Sequence, residues 1–348
     1  MSPVGQAEER PAKKVLVGIM KKEETEMKFA ILAAGSIAHS MAEAVSGIEE
    51  IEKYAVACRD LDRAQTFADK WSFEKAYGSY EEMLNDPQVE LVYVASPHSH
   101  HYEHAKMCLE HGKHVLVEKA FTVNAKQAEE LIHMAEEKGL LLTEAIWTRY
   151  MPSRKMIDDL VESGVIGKIT SLTANLGYVL PHIERMQKPE LAGGALLDLG
   201  VYPINFALMT FHGEVEKVAS TAVMSPLGVD WINSVTLTFA DGKVAVLHSN
   251  MLAQTDRQGV INGDKGYIEV QNINNCEEIR VFDLERKMTA KYVVPEQING
   301  YEYEVISCIK AIQEGKSECP EMPHSETLRV MKLMDGIRGE WGMTYPCE

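Results

Sequence analysis

The sequence predicts an α/β protein of two domains: a doubly wound parallel sheet over residues 27–146, then an α+β domain with a largely antiparallel open sheet over 147–348. Three observations predict it. The chain is 348 residues long, about twice a typical single domain. Short apolar runs alternate with helix-like segments up to Glu144, which is the grammar of βαβ units. Beyond that point come longer segments rich in β-branched residues, two of them separated by the hairpin dipeptide Asp241-Gly242.

Residues 1–26 are polar and charged and stop where Met27 opens a strand, so they read as a flexible extension or an upstream start outside the fold. The first strand spans 29–32, followed by a glycine-containing turn and a helical run through Ala38, Met41, Ala42 and Val45. The alternation continues as strand 54–57 with helix 60–71, strand 89–95 with helix 99–111, strand 115–117 with helix 124–138, and a closing strand at 140–142. A helix over 153–162 leads into the second domain, whose strands are read at 169–176, 215–224, 234–239 and 244–250. Helical patterns at 196–209, 301–312 and 325–337 are expected to cover one face of that sheet, the C-terminal ones being free to pack back on the first domain. The alternating Val235, Leu237 and Phe239 then point to a second apolar face, and so to a homodimer or homotetramer through this sheet.

Hydrophobic residues at 45% and charged residues at 25% are ordinary globular usage, which excludes wholesale disorder. A formal net charge of −17 without a basic patch argues against a nucleic-acid partner. Six cysteines without any C-x-x-C pair read as free thiols, hence a cytoplasmic location. No apolar run approaches the roughly 20 residues that span a bilayer, and the early run 15–20 is short and flanked by lysines. Neither a membrane partner nor a signal peptide is expected.

The first βα turn, Ile31-Leu32-Ala33-Ala34-Gly35-Ser36-Ile37-Ala38, is G-x-G-x-x-A with alanine for the first glycine. Because it follows a strand and opens a helix, it reads as the dinucleotide-binding turn of a Rossmann domain rather than a mere packing turn. Ala34, Gly35, Ser36 and Ile37 would then meet a pyrophosphate with free amides and the helix dipole. Ala33 is expected to keep a negative φ. After the second strand the chain reads Cys58-Arg59-Asp60. Arg59 suits a 2′-phosphate while Asp60 caps the next helix, so NADP is expected, with NAD as the alternative.

Two further blocks follow, Ala95-Ser96-Pro97-His98-Ser99-His100-His101 and His114-Val115-Leu116-Val117-Glu118-Lys119-Ala120. With Glu144-Ala145-Ile146-Trp147-Thr148-Arg149-Tyr150 and Gly193-Gly194-Ala195-Leu196-Leu197-Asp198-Leu199-Gly200-Val201-Tyr202-Pro203, the chain resembles the Gfo/Idh/MocA family of NAD(P)-dependent oxidoreductases. It looks most like the dihydrodiol dehydrogenase and sugar dehydrogenase branch. The resemblance implies that Ser96, Pro97, His98, His101, Glu118 and Lys119 line the cofactor, and that Lys119, Asp198 and Tyr202 bind and convert the substrate. Ala120 stands where the family's E-K-P motif has a proline associated with a cis peptide, and alanine is expected to be trans.

Lys119 ends a parallel strand, the sheet edge where ligands bind in doubly wound folds. Asp198 and Tyr202, four apart on a helix, face the same way. Tyr202 is expected to exchange the substrate's hydroxyl proton, with Lys119 lowering the phenol from its ordinary pKa of about 10 and binding the same oxygen, and Asp198 orienting the lysine. The blander readings are capping for Asp198 and core packing for Tyr202. Trp147 is expected to stack on a cofactor or substrate ring, or else to pack between domains. His100, His104 and Cys108 have a spacing that suits metal ligands, yet there is no H-E-x-x-H and no second ligand-rich segment, so no metal is expected.

These readings converge on an NADP-preferring oxidoreductase acting on a secondary alcohol or ketone of a small polyol, sugar or cyclic diol. The alternatives are an NAD-linked inositol- or amino-sugar-type dehydrogenase and a non-catalytic NAD(P)-binding regulator on the same fold. Substrate choice is assigned to loops such as 177–191, where periodicity carries no information.

Overall fold

The computed structural model describes residues 26–348. The expectation for 1–26 therefore lies, but for Glu26, outside the described residues. Strands β1 (Met27–Leu32), β2 (Ile51–Ala57), β3 (Lys75–Tyr77), β4 (Leu91–Val94), β5 (His114–Glu118) and β6 (Leu142–Ala145) form one parallel sheet in the order β3-β2-β1-β4-β5-β6. Their side chains are apolar on both faces because helices cover both, and all four residues of β4 are buried. The order reverses between β1 and β4, and that crevice is where a doubly wound sheet binds its ligand.

The helices between these strands begin and end on local chemistry. Asp60 caps α2 (Leu61–Trp71) by accepting from the amides of Asp62 and Arg63, as its position in the sequence suggested. Asn124 caps α5 (Ala125–Lys138) through the amide of Gln127, and Gly139 ends it at φ 64°, where glycine pays no Cβ penalty. The short β3 and α3 (Tyr80–Leu84) carry too little pattern to be read beforehand.

The second sheet has eight strands in the order β14-β13-β12-β11-β7-β10-β9-β8: β7 (Ile169–Gly177), β8 (Val215–Met224), β9 (Asp230–Phe239), β10 (Val244–Asn250), β11 (Gly259–Gly263), β12 (Gly266–Gln271), β13 (Glu278–Asp283) and β14 (Met288–Val293). Every pairing is antiparallel except β7 with β10. Val235, Leu237 and Phe239 do not line the open face, contrary to expectation. They are buried with Leu172 and Leu247 on the face covered by α8 (Val201–Thr210). Alternation shows which side chains share a face, but only packing shows which face is covered.

The helix assignment also changes. Only α8 and the turn before it lie broadly on the sheet; α9 (Glu302–Gln313) packs on α1 (Ser36–Val45), and α10 (His324–Glu340) packs chiefly on α5, touching α8 and β8 at its edge. The stretch Pro189–Thr210, with a mean hydropathy of 1.4 over its best window, is after all long and apolar enough to cross a bilayer. It is apolar all round because 94% of that window is buried between sheet and first domain.

The C-terminal segment ties the two domains together. Arg338 on α10, 3% exposed, donates to the Val123 carbonyl at 2.9 Å, pairs with Asp335 at 2.9 Å and with Glu348, and lies 4.8 Å over the Tyr345 ring. Tyr345 in turn donates to the Gly193 carbonyl at 2.9 Å. Removing the guanidinium takes a partner from two carboxylates and from the buried Val123 carbonyl at once. Arg338→Ala is expected to destabilise the protein by about 2–4 kcal/mol in urea titration, and a loss below about 0.5 kcal/mol contradicts this.

Candidate active site

The turn between β1 and α1 leaves helix α1 with no side-chain cap and no acidic residue in its first turn. Its amides and the positive end of its dipole are thus open to an anion. A Cβ on Gly35 would meet only the Ala95 carbonyl, at 3.8 Å, so backbone can approach a ligand closely there. Ala33, expected at negative φ, sits at φ 75° instead. The chain must reverse between β1 and α1, and alanine accepts a conformation that favours glycine at a cost of about 1–2 kcal/mol.

Two cavities meet at this turn, of about 610 and 510 Å³, sharing Gly35, Ala95, Ser96 and Pro97. The first runs past Ala34 to Cys58, Arg59, Arg63, Tyr80, His100 and His104. Among the described residues neither Arg59 nor Arg63 has an ion-pair partner, and Asp60 is occupied as the α2 cap. This cavity therefore ends in two guanidiniums without ion-pair partners among the described residues.

The second cavity reaches Ser36, Ile37, His98, His101, Glu118, Lys119, Arg185, Asp198, Tyr202 and Tyr301. Lys119 leaves the C-terminal end of β5, and its ammonium donates to the Asp198 carbonyl at 2.9 Å and to Asp198 Oδ1 at 3.1 Å. Asp198 lies in a π-helical turn, Leu196–Gly200, opened by Gly194 at φ 107° and continuing into α8. Burial alone would raise the Asp198 pKa, but Lys119, Arg185 and His98 hold it well below the usual carboxylate range. The Lys119–Ala120 peptide, expected trans, is cis. Its flanks are anchored, the Ala120 carbonyl by His101 Nδ1 at 2.8 Å and the Phe121 amide by Glu144 at 3.1 Å.

Lys119 does not lower the pKa of Tyr202, contrary to the expectation, and makes no hydrogen bond to its phenol oxygen. Its ammonium is 5.1 Å from the ring centroid, drawn over the ring face by Asp198. Tyr202 is accordingly held well above its ordinary pKa, by burial first and then by the Glu118 carboxyl. Its oxygen accepts from Trp147 Nε1 at 3.0 Å and has no other hydrogen-bond partner among the described residues. The phenol hydrogen is thus free to point into the cavity.

Residues 27–146 match the family model described as "Oxidoreductase family, NAD-binding Rossmann fold", and residues 155–269 match the GFO/IDH/MocA C-terminal domain. The chain belongs to the GFO/IDH/MocA oxidoreductase family. It is 34% identical over 330 residues to trans-1,2-dihydrobenzene-1,2-diol dehydrogenase of Xenopus tropicalis, covering 92% of this chain and 99% of the relative. It is 33% identical to D-xylose 1-dehydrogenase (NADP(+)) of Hypocrea jecorina, covering 92% and 93%. A 3-ketoreductase from Actinomadura kijaniata, solved with NADP and TDP-benzene, superposes with a TM-score of 0.83 at 26% identity, covering 90% of this chain and 98% of that one. As a member of this family the protein is an oxidoreductase.

Of the site residues read from the sequence of this GFO/IDH/MocA protein, all but one line the two cavities. The exception is Trp147, which is 5% exposed and stacks on Tyr301 at 4.4 Å with the rings 7° apart. That ring-on-ring contact takes the face expected to meet a ligand, and the indole instead positions Tyr202. Sequence reasoning missed Arg63, Tyr80, Ile183, Arg185 and Tyr301. Only Arg63 left a signal, one helical turn beyond Arg59. His100 and His104 face the first cavity, bonded to Ser99 and Ser96 at 2.8 and 2.9 Å; among the described residues no group of three or more such side chains is arranged to hold a metal.

The histidines beside the second cavity are buried. His98 Nδ1 donates to the Ala192 carbonyl at 3.0 Å, and its Nε2 lies 3.7 Å from Asp198 Oδ1. Burial pushes its pKa down to about 3 despite Asp198. Above pH 6.5 the ring is neutral folded or unfolded and adds nothing; as pH falls below about 6.5 only the unfolded chain takes up the proton, so this residue withdraws stability on acidification. In an NMR titration the His98 ring is expected to remain neutral from pH 8 to pH 5. A midpoint near 6.5 contradicts that burial.

Proposed function

We propose that this protein is an NADP-preferring dehydrogenase or reductase that moves a hydride between the cofactor and a secondary alcohol or ketone of a sugar or cyclic diol. The observation that carries the reading is the Tyr202 phenol, which donates to no protein group among the described residues and lines the same cavity as the Lys119 ammonium. The names of the relatives support the substrate class: a dihydrodiol, a xylose and a 3-keto group.

The uncapped start of α1 and the shared Gly35 fit a pyrophosphate between the two cavities, with Arg59 and Arg63 beyond it. A bound nicotinamide supplies the hydride donor or acceptor. Tyr202, kept a neutral phenol by its surroundings, donates a proton to the substrate oxygen in reduction, and the path runs in reverse in oxidation. Lys119 stabilises negative charge developing on that oxygen, Asp198 holds Lys119 by two hydrogen bonds, and Trp147 holds the phenol oxygen from behind.

Tyr202→Phe and Lys119→Ala are each expected to lower turnover by about 10²–10⁴-fold, with NADPH affinity, followed by fluorescence, retained in Tyr202→Phe. Wild-type turnover in Tyr202→Phe defeats the proton path. For the cofactor, Arg59→Ala and Arg63→Ala are expected to weaken NADPH about ten- to a hundredfold while NADH changes little, because a guanidinium–phosphate contact is charge-assisted. Equal loss for both cofactors defeats the NADP preference. The open sheet face, with Val244, Val246, Val260 and the stacked Tyr267 and Phe282, supports pairing with a second copy of the chain. Light scattering at micromolar concentration is expected to give a dimer or tetramer, and a monomer defeats this.

A further inference from the structure

The second cavity holds two cations and shares one carboxylate oxygen between them. Lys119 Nζ is 3.1 Å from Asp198 Oδ1, and Arg185 approaches the same atom with both terminal nitrogens, each at 3.3 Å. A guanidinium committed to a carboxylate normally lays two parallel bonds on two oxygens. Here both converge on one oxygen at the long end of hydrogen-bond range, and the remaining neighbour is the sulfur of Met186 at 3.3 Å. The side chain is 39% exposed although Asp198 is only 9% exposed. Arg185 thus stands at the cavity mouth with its Nε–H unpaired among the described residues, leaving the Nε edge of the guanidinium unfilled.

The backbone beneath it is built rather than loose. Leu180 bonds to the Met251 carbonyl at 2.9 Å, Gly194 to that of Met186 at 3.0 Å, and Trp231 to the Gln187 side chain at 3.0 Å. Met186 is fully buried, and a Cβ on Gly193 would lie 2.5 Å from the Arg185 carbonyl oxygen, so the segment is clamped from both sides. A held backbone with a loosely paired head is the arrangement expected of a residue that grips a ligand.

We propose that Arg185 is a specificity-determining residue that binds a carboxylate on the substrate, so that sugar acids are preferred over the matching neutral sugars. This rests on the reading above that the cavity takes a polyhydroxylated substrate. Lys119 and Arg185 carry two positive charges against Asp198 and the Glu118 carboxyl, whose pKa burial raises to about 7, and this leaves room for no more than a monoanion. A phosphate dianion would exceed that balance. A substrate carboxylate can take the guanidinium edge that Asp198 leaves unfilled, while the reacting carbon lies deeper, beside Lys119 and Tyr202.

The test is calorimetric binding of D-glucuronate, D-glucose and D-glucose 6-phosphate to the protein saturated with NADPH, for wild type, Arg185→Gln and Arg185→Lys. The acid is expected to bind about tenfold or more tighter than glucose in wild type, the preference collapsing toward unity in Arg185→Gln and partly returning in Arg185→Lys. Equal wild-type affinities, or a preference that survives Arg185→Gln, overturn the proposal. So does tighter binding of the 6-phosphate than of the acid. So does an Arg185→Gln variant that loses NADPH affinity while keeping the acid preference, since the guanidinium then serves the cofactor. Turnover of the same compounds tests the dehydrogenase reading separately: a binding preference without turnover sinks that reading alone, and turnover of glucose without a preference sinks this proposal alone.

Discussion

The ion pair between Lys119 and Asp198 is the constraint on which the site depends. Lys119 comes from the end of β5 in the first domain, and Asp198 from the π-helical turn that leads into α8 in the second. Both side chains are largely buried, and pairing offsets part of the cost of desolvating two charges, so the site's geometry depends on contact between the two domains. The Arg338 cluster adds a second tie between the domains, through α5, α10 and the C-terminal segment.

That pair also sets the chemistry around it. Asp198 draws Lys119 over the face of Tyr202, so the phenol oxygen is left to Trp147 and the phenol keeps its proton. Burial presses the same way on every neighbour. It pushes the Glu118 and Glu144 carboxyls up to about 7 and the His98 and His101 rings down to about 3 and 4. Near neutral pH the two rings are therefore neutral and the two carboxyls only partly ionised, with the Lys119–Asp198 pair and Arg185 beside them.

The first domain was legible because parallel strands covered on both faces read as short apolar runs, and because the βα turn, Arg59 and the blocks around His98 and Lys119 are local in sequence. What escaped depended on packing between distant parts of the chain. Trp147 gives no hint that Tyr301 will take its face, since the two meet only when α9 folds back on the first domain. Val235, Leu237 and Phe239 announced a shared face and not which layer would cover it. Arg185 sits in a segment with no period, and only the carbonyl partners of Met186 and Gly194 reveal that its backbone is held. The φ of Ala33 and the cis peptide before Ala120 are likewise properties of the surrounding fold, because alanine itself favours neither.

The central claim is that Asp198 serves the reaction through Lys119, and a double-mutant cycle read in kcat addresses it most directly. Lys119→Met, Asp198→Asn and the double variant are compared with wild type under saturating NADPH and substrate. Because the two residues form one unit, the double variant is predicted to be about as slow as Lys119→Met alone. Losses that multiply, so that the double variant is slower by the product of the single effects, would show that Asp198 acts independently of Lys119 and would contradict the account.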